Sequence, residues 1–207
     1  MLKRTFLGRV VLAGVMALSL AGNAIAADSQ VAVFAGGCFW STQKAFDHVK
    51  GVTNTRAGFM GGSVKSPSYE DVVRGGTGHV EAVEVTYDPD KVSYQQLLDT
   101  FWHSTDPTNP RGVICDLGDN YRTAVFTFSD AQYNAAVASK QAVGKQLNKP
   151  IYTLVVKSTQ TGLPFYPAEA YHQHYWQTHS DHYDRYVIGC GRPGALKKLW
   201  GDQAPKY

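Results

Sequence analysis

Cysteine is scarce in this chain of 207 residues, which has only Cys38, Cys115 and Cys190. A small disulfide-stapled scaffold needs a larger, even set, so the fold must rest on an apolar core, and at least one thiol is left over or chemically engaged. Charge is also sparse, at 18% against 43% hydrophobic residues, which excludes disorder. Nor is there an excess of one sign. The formal charge is +3, but Lys3, Arg4 and Arg9 fall in the first 26 residues, which hold no acid, and 17 bases face 17 acids beyond them. That balance leaves no footprint for nucleic acid or anionic membrane. A long hydrophobic run is missing too. Val10 to Leu20 falls short of the ~20 residues that span a bilayer and includes Gly14 and Ser19. Repeats and the metal-binding patterns H-E-x-x-H and paired C-x-x-C are absent.

What is present begins with a secretion signal. Lys3 and Arg4 precede the apolar run, and Ala24-Ile25-Ala26 is a small-x-small cleavage site. Residues 1–26 are therefore expected to be removed. The remaining 27–207 form a single domain, with a core over about 31–176 and a tail carrying Cys190. This places the mature protein outside the cytoplasm, and the bacterial look of the signal suggests the periplasm.

Hydrophobic periodicity orders the domain. Val31 to Gly36 is a strand closed by two glycines, and Phe39, Thr42, Phe46 and Val49 follow at helical spacing. Residues 51–60 suit a second strand, Gly61 to Ser68 a loop, and Tyr69 the start of a short helix. His79 to Tyr87 alternates as a strand. Ser93 and Gln96 form a capping box ahead of a stripe of Tyr94, Leu97, Leu98, Phe101 and Trp102. A polar loop over 104–120 leads to a strand at 122–128, a helix capped by Ser129 or Asp130, and a strand at 151–157. The rest reads as aromatic, His-rich and irregular. The expected fold is α+β: a two-layer sandwich of a mixed sheet and helices with a ferredoxin-like plait core, with an open α/β sheet as the alternative.

Four groups of residues could carry chemistry. Cys38 sits where a strand turns through Gly36-Gly37 into a helix; unpaired N–H groups there would lower its thiol pKa and make it a nucleophile. The competing reading is a small buried cysteine. Phe39 and Trp40 beside it look like a wall for an apolar substrate group. Glu81 shares the apolar strand face with Val83, Val85 and Tyr87, where burial would keep its acid neutral and able to give a proton; the alternative is an ion pair with Arg122. Asp116, Tyr121 and Tyr69 offer polar groups from loops and a helix start. Last, the run from Tyr171 to Tyr175 with His179, Asp181, His182 and Asp184 is rich in metal-ligand types but has no standard ligand spacing, which favours a packed terminal segment without metal.

Together the segments GGCFW (36–40), GG-x-x-x-x-P-S-Y (61–69), TGHVE (77–81), YDP (87–89), DPT (106–108), D-x-G-x-x-YR (116–122) and AEAYHQ (168–173) resemble, in type and order, the A-type peptide methionine sulfoxide reductases. The resemblance covers about Val31 to Trp176. It implies an α+β sandwich, no cofactor or metal, and reduction of the S epimer of methionine sulfoxide, free or in proteins. By matching motif positions it makes Cys38 the nucleophile, Glu81 the proton donor, Tyr69 and Tyr121 the hydroxyls around the sulfoxide oxygen, Asp116 a support, and Phe39 and Trp40 the methyl pocket. Cys190, between glycines, resembles the family's C-terminal resolving cysteine, with Cys115 the competing thiol. A thioredoxin-like dithiol is the implied partner, and the protein is expected to act as a monomer. The chain departs from the family's common residues at Gln43, Phe59, Ser66 and Val80. A cysteine hydrolase or acyl transferase using a histidine, and an exported metal-binding or adhesion module, are the rival readings.

Overall fold

The computed structural model describes residues 29–206, so the expected secretion signal lies outside them. In chain order the elements are β1 (Gln30–Ala35), α1 (Phe39–Asp47), β2 (Val52–Met60), α2 (Tyr69–Arg74), β3 (Val80–Tyr87) and α3 (Tyr94–His103). A small hairpin follows, β4 (Gly112–Val113) and β5 (Asp116–Leu117), then β6 (Ala124–Thr127), α4 (Asp130–Leu147), β7 (Leu154–Lys157) and α5 (Ser158–Thr161). The chain ends through β8 (Tyr166–Pro167), α6 (Tyr175–Thr178), α7 (Ser180–Gly189) and α8 (Arg192–Trp200).

Six strands form one mixed sheet in the order β7-β6-β1-β3-β2-β8. β3 pairs antiparallel with both β1 and β2, and β1 pairs antiparallel with β6, while β6 and β7 run parallel. The inner four strands with α1 between β1 and β2 make the expected plait. One face carries the main core, where Phe34, Phe46, Val83, Val85, Leu97 and Phe101 are buried to 0% exposure under α1, α3 and α4. The other face holds a smaller cluster around Met60, Ala82 and Phe126, against which Leu163 and Phe165 pack. Glu81 lies on the main-core side with Val83 and Val85, as the alternation of β3 requires.

Local chemistry fixes the boundaries. The Ser93–Gln96 capping box starts α3, and the Ser129 side chain accepts the Gln132 N–H at the start of α4. Ile151 to Thr153, expected within the last strand, precede it instead: Tyr152 N–H donates to the Pro107 carbonyl, and buried Thr153 meets Thr123 at 2.8 Å. The polar loop 104–120 contains the β4–β5 hairpin, whose tip is Ile114-Cys115. The C-terminal segment is not irregular. From Tyr175 to Trp200 it is almost wholly helical, and these helices make contacts that sequence periodicity does not report.

Candidate active site

The start of α1 is built by its two glycines. Gly37 has φ +87°, and a Cβ on it would stand 2.7 Å from the Cβ of Val113, so a bare backbone lets the β4–β5 hairpin close on this turn. Cys38 then occupies the N-cap position, its carbonyl accepting from Ser41 N–H, Thr42 N–H and the Thr42 hydroxyl, each at 3.2 Å. The donors of the first turn are shared among three acceptors. Phe39 N–H donates to Glu81 Oε2 at 2.8 Å, Cys38 N–H to Asp116, and Trp40 N–H to the Cys38 sulfur.

That sharing overturns the expectation of a depressed thiol pKa. Cys38 is 7% exposed, and burial first, then the charges of Glu81 and Asp116, push the thiol well up, against smaller downward pulls from the Tyr186 hydroxyl and Trp40 N–H. Two carboxyl groups already take up donors of the helix terminus that was expected to favour a thiolate. Glu81 behaves as the strand pattern predicts. It is 1% exposed, and burial, opposed by the Phe39 hydrogen bond and helped by Asp116, raises its carboxyl to about 8. It is therefore mostly a neutral acid at pH 7. Arg122 bonds Asp119 instead.

Aromatic rings surround this centre. Phe39 is 1% exposed, so it does not form an outer wall; it backs Tyr69 and His172, with ring centroids at 6.2 and 5.0 Å. Half-buried Trp40 is the ring on the accessible side. It stacks on Tyr175 at 3.9 Å, meets Tyr186 edge-on at 6.0 Å, and donates from Nε1 to His172 Nδ1 at 3.1 Å. Tyr69 heads α2, which a Ser68–Asp71 capping box starts, and its N–H donates to Glu169 at 2.9 Å. Its hydroxyl bonds that of Tyr121, and burial with the nearby Glu81 keeps both hydroxyls protonated.

Asp116, at the start of β5, accepts from the Tyr186 hydroxyl at 2.7 Å and lies 3.9 Å from Arg192 Nη1. Arg192 is itself buried and donates to the Ser104 carbonyl at 2.9 Å. Tyr186 and Arg192 escaped the sequence reading because nothing in the spacing of 180–192 marks them. His172 lay within the AEAYHQ segment, which could have flagged it.

Cys115 and Cys190 are bonded to each other, with Cα atoms 5.3 Å apart, and Cys38 is the free thiol. Two sequence readings change here. The cysteines were rival resolving thiols, yet the structure joins them. Cys190, expected in a tail beyond the core, caps α7, and Cys115 is exposed at a hairpin tip. An Asp116 oxygen and both sulfurs lie within 4.8 Å of one another. The C-terminal histidines are spent on packing: His174 bonds Asp47 at 2.9 Å, His182 bonds the Tyr175 hydroxyl at 3.1 Å, and His179 stacks on Tyr175.

Three of the sequence departures suit their surroundings. Gln43, fully buried, donates to the Thr55 hydroxyl at 3.1 Å and accepts from His174 N–H at 2.8 Å, so a neutral amide serves both ends. Phe59 packs beneath Phe39, and Val80 joins the cluster on the face opposite Glu81. Ser66 takes φ +47°, a left-handed conformation that it tolerates less well than asparagine.

A sequence model described as "Peptide methionine sulfoxide reductase" matches residues 30–204. A Bacillus pumilus protein named peptide methionine sulfoxide reductase MsrA is 41% identical over 177 residues, covering 84% of this chain and 97% of its own. Methionine sulfoxide reductase A of Corynebacterium diphtheriae superposes with a TM-score of 0.68 at 31% identity, covering 72% of this chain and 74% of that one. Reduced Mxr1 from Saccharomyces cerevisiae gives 0.66 at 27% identity, over 72% and 85%. With a free thiol, a neutral carboxylic acid and two tyrosine hydroxyls gathered at one helix start, and with these matches over nearly all the described residues, the chain belongs to the peptide methionine sulfoxide reductase family.

Proposed function

We propose that this protein reduces the S epimer of methionine sulfoxide, free or in proteins, with a dithiol protein as the source of electrons. The observation that carries the reading is Glu81: a buried carboxyl raised to about 8, held by the N–H of the residue next to the only free thiol among the described residues. The Glu81 acid donates a hydrogen bond to the sulfoxide oxygen, and the Tyr69 and Tyr121 hydroxyls assist. Polarised in this way, the sulfoxide sulfur accepts attack by the Cys38 thiolate as Glu81 protonates the oxygen. Trp40, held by Tyr175 and His172, offers the methyl group an apolar face.

Oxygen transfer leaves methionine and a Cys38 sulfenic acid. Cys190 attacks that sulfur, water departs, and a Cys38–Cys190 disulfide forms. Cys115 then displaces Cys38, which leaves the Cys115–Cys190 bond. Burial supports this order: Cys115 is the exposed member, available to an outside thioredoxin-like dithiol, and Cys190 is partly buried on the helix whose Tyr186 touches Cys38. Residues 1–26 support export, with the periplasm as the site of repair.

The rival hydrolase needs an imidazole on the nucleophile, but the groups on the Cys38 sulfur are the Tyr186 hydroxyl and Trp40 N–H. The test is to incubate the protein with dithiothreitol and each sulfoxide epimer separately. The S epimer should be converted to methionine and the R epimer left, with a chelator having no effect; conversion of neither epimer, or activity stripped by the chelator, contradicts the proposal.

A further inference from the structure

The two most exposed large hydrophobic side chains among the described residues are Ile188, at 74%, and Leu117, at 56%. A single exposed leucine or isoleucine is ordinary on a protein surface. These two are not scattered. Leu117 lies two residues after Cys115 and Ile188 two residues before Cys190, and those cysteines are bonded with Cα atoms 5.3 Å apart. In the β4–β5 hairpin Leu117 stands opposite Gly112, which has no side chain to cover it. The glycines beside Cys190 are a second, independent observation. Both are exposed, and a Cβ on Gly189 or Gly191 would meet nothing within 4 Å. Gly191 is accounted for by its φ of +66°, but Gly189 ends α7 without a positive φ. Neither packing nor backbone asks for a glycine there, and glycine in a helix costs stability relative to alanine.

We propose that Leu117 and Ile188 form the docking surface for the dithiol protein that reduces Cys115–Cys190, with Gly189 kept bare so that the partner can reach the bond. The bond between them identifies the occupant. A partner thiolate attacks the sulfur of Cys115, the exposed member of the pair, and Cys190 leaves as a thiolate that takes up a proton. The partner's second thiol, deprotonated, then displaces Cys115. This chain is left with two thiols and the partner with a disulfide, so two electrons and two protons have passed. While the mixed disulfide lasts, the surface around the partner's attacking thiol is held against whatever flanks Cys115 and Cys190. Here that is Leu117, Ile188 and open backbone at Gly189 and Gly191. Apolar side chains beside unobstructed backbone suit a thioredoxin-like domain whose attacking thiol is set in an apolar face. Dithiothreitol opens the same bond and is too small to need the surface.

The inference rests on the dithiol-dependent reading, and leaving sulfoxide out of the experiment lets the two fail separately. Oxidised protein is mixed with reduced thioredoxin, and opening of Cys115–Cys190 is followed by alkylation of the released thiols and mass spectrometry, with dithiothreitol in a parallel series. Wild type is compared with the double variant Leu117→Gln with Ile188→Gln, and with Gly189→Gln. Glutamine brings no charge to the cysteines, and all three positions face solvent, so urea midpoints should not fall below wild type. At limiting thioredoxin the double variant should open about tenfold more slowly, the loss of one well-placed apolar contact or two modest ones. Gly189→Gln should also be slowed. With dithiothreitol every variant should open at the wild-type rate. A double variant as fast as wild type with thioredoxin, or slowed equally with both reductants, would overturn the docking surface, as would a wild-type bond that thioredoxin does not open. Wild-type speed in Gly189→Gln would overturn the role given to the bare backbone. A bond opened as predicted in a protein that converts no methionine S-sulfoxide with dithiothreitol would leave the docking surface standing and overturn the reductase reading.

Discussion

Two carboxyl groups meet one helix start, and the difference in their surroundings gives each its role. Burial raises both: Glu81, whose Oε2 accepts the Phe39 N–H, goes to about 8, while the rise at Asp116 is opposed by the Tyr186 hydroxyl, Arg192 and Cys38 N–H. Glu81→Gln keeps the shape and loses the acid, so first-turnover methionine formation, measured by rapid quench, should fall by about 10²–10⁴-fold with substrate binding less affected. A rate within a factor of about two of wild type would make Glu81 a structural residue. The same titration sets a pH dependence. Between the ordinary carboxyl range and about 8 the folded protein holds a proton at Glu81 that the unfolded chain has lost, so this group makes stability decline as pH rises through that window. Urea midpoints of Glu81→Gln should fall less steeply with pH over that interval than those of wild type, and equal slopes would contradict the assignment. Glu81 was legible because an acid on an alternating apolar strand has few innocent explanations. The thiol of Cys38 was not, since sequence shows the helix start but not that Glu81 and Asp116 already occupy its donors.

Elements with strong local signals were readable, and those held by distant contacts were not. β3 declared itself through alternation, α3 through its capping box and apolar stripe, and the β1–α1 turn through paired glycines. From Tyr175 to Trp200 the chain forms helices of 4, 10 and 9 residues that depend on Trp40 stacking, the Asp116–Tyr186 bond and a disulfide 75 residues long in sequence, none of which has a periodic signature. The β4–β5 hairpin was hidden for a related reason: its strands have two residues each, and its tip residue Ile114 takes φ +57°, unusual for a β-branched side chain. What fits that hairpin to the site is Gly37. Gly37→Ala adds strain at φ +87° and a contact with Val113, so we expect a lower urea midpoint, a loss of at least ~1 kcal/mol, together with loss of turnover. Wild-type stability and activity would show that the hairpin can shift without consequence.

Across the whole molecule, the Cys115–Cys190 bond ties the hairpin beside Cys38 to the C-terminal helices. Closing a loop of 75 residues restricts the unfolded chain by about 4 kcal/mol in the entropic picture, so the reduced protein should melt well below the oxidised one in scanning calorimetry; equal transitions would mean the bond constrains little. The bond is also where the oxidising equivalent taken from the sulfoxide is expected to rest. Fully reduced wild-type protein without added reductant should form two equivalents of methionine, one ending in Cys115–Cys190 and one in a Cys38 sulfenic acid, whereas Cys190→Ser should stop at one with the sulfenic acid trapped. If Cys190→Ser turns over steadily with a thioredoxin donor and Cys115→Ser stalls, Cys115 is the thiol that resolves Cys38. All of this depends on the chemistry beginning at one sulfur. The most direct measurement is consumption of methionine S-sulfoxide, with dithiothreitol, by folded Cys38→Ser protein: turnover should be abolished while the circular dichroism spectrum stays that of wild type, and a wild-type rate in that variant would contradict the account.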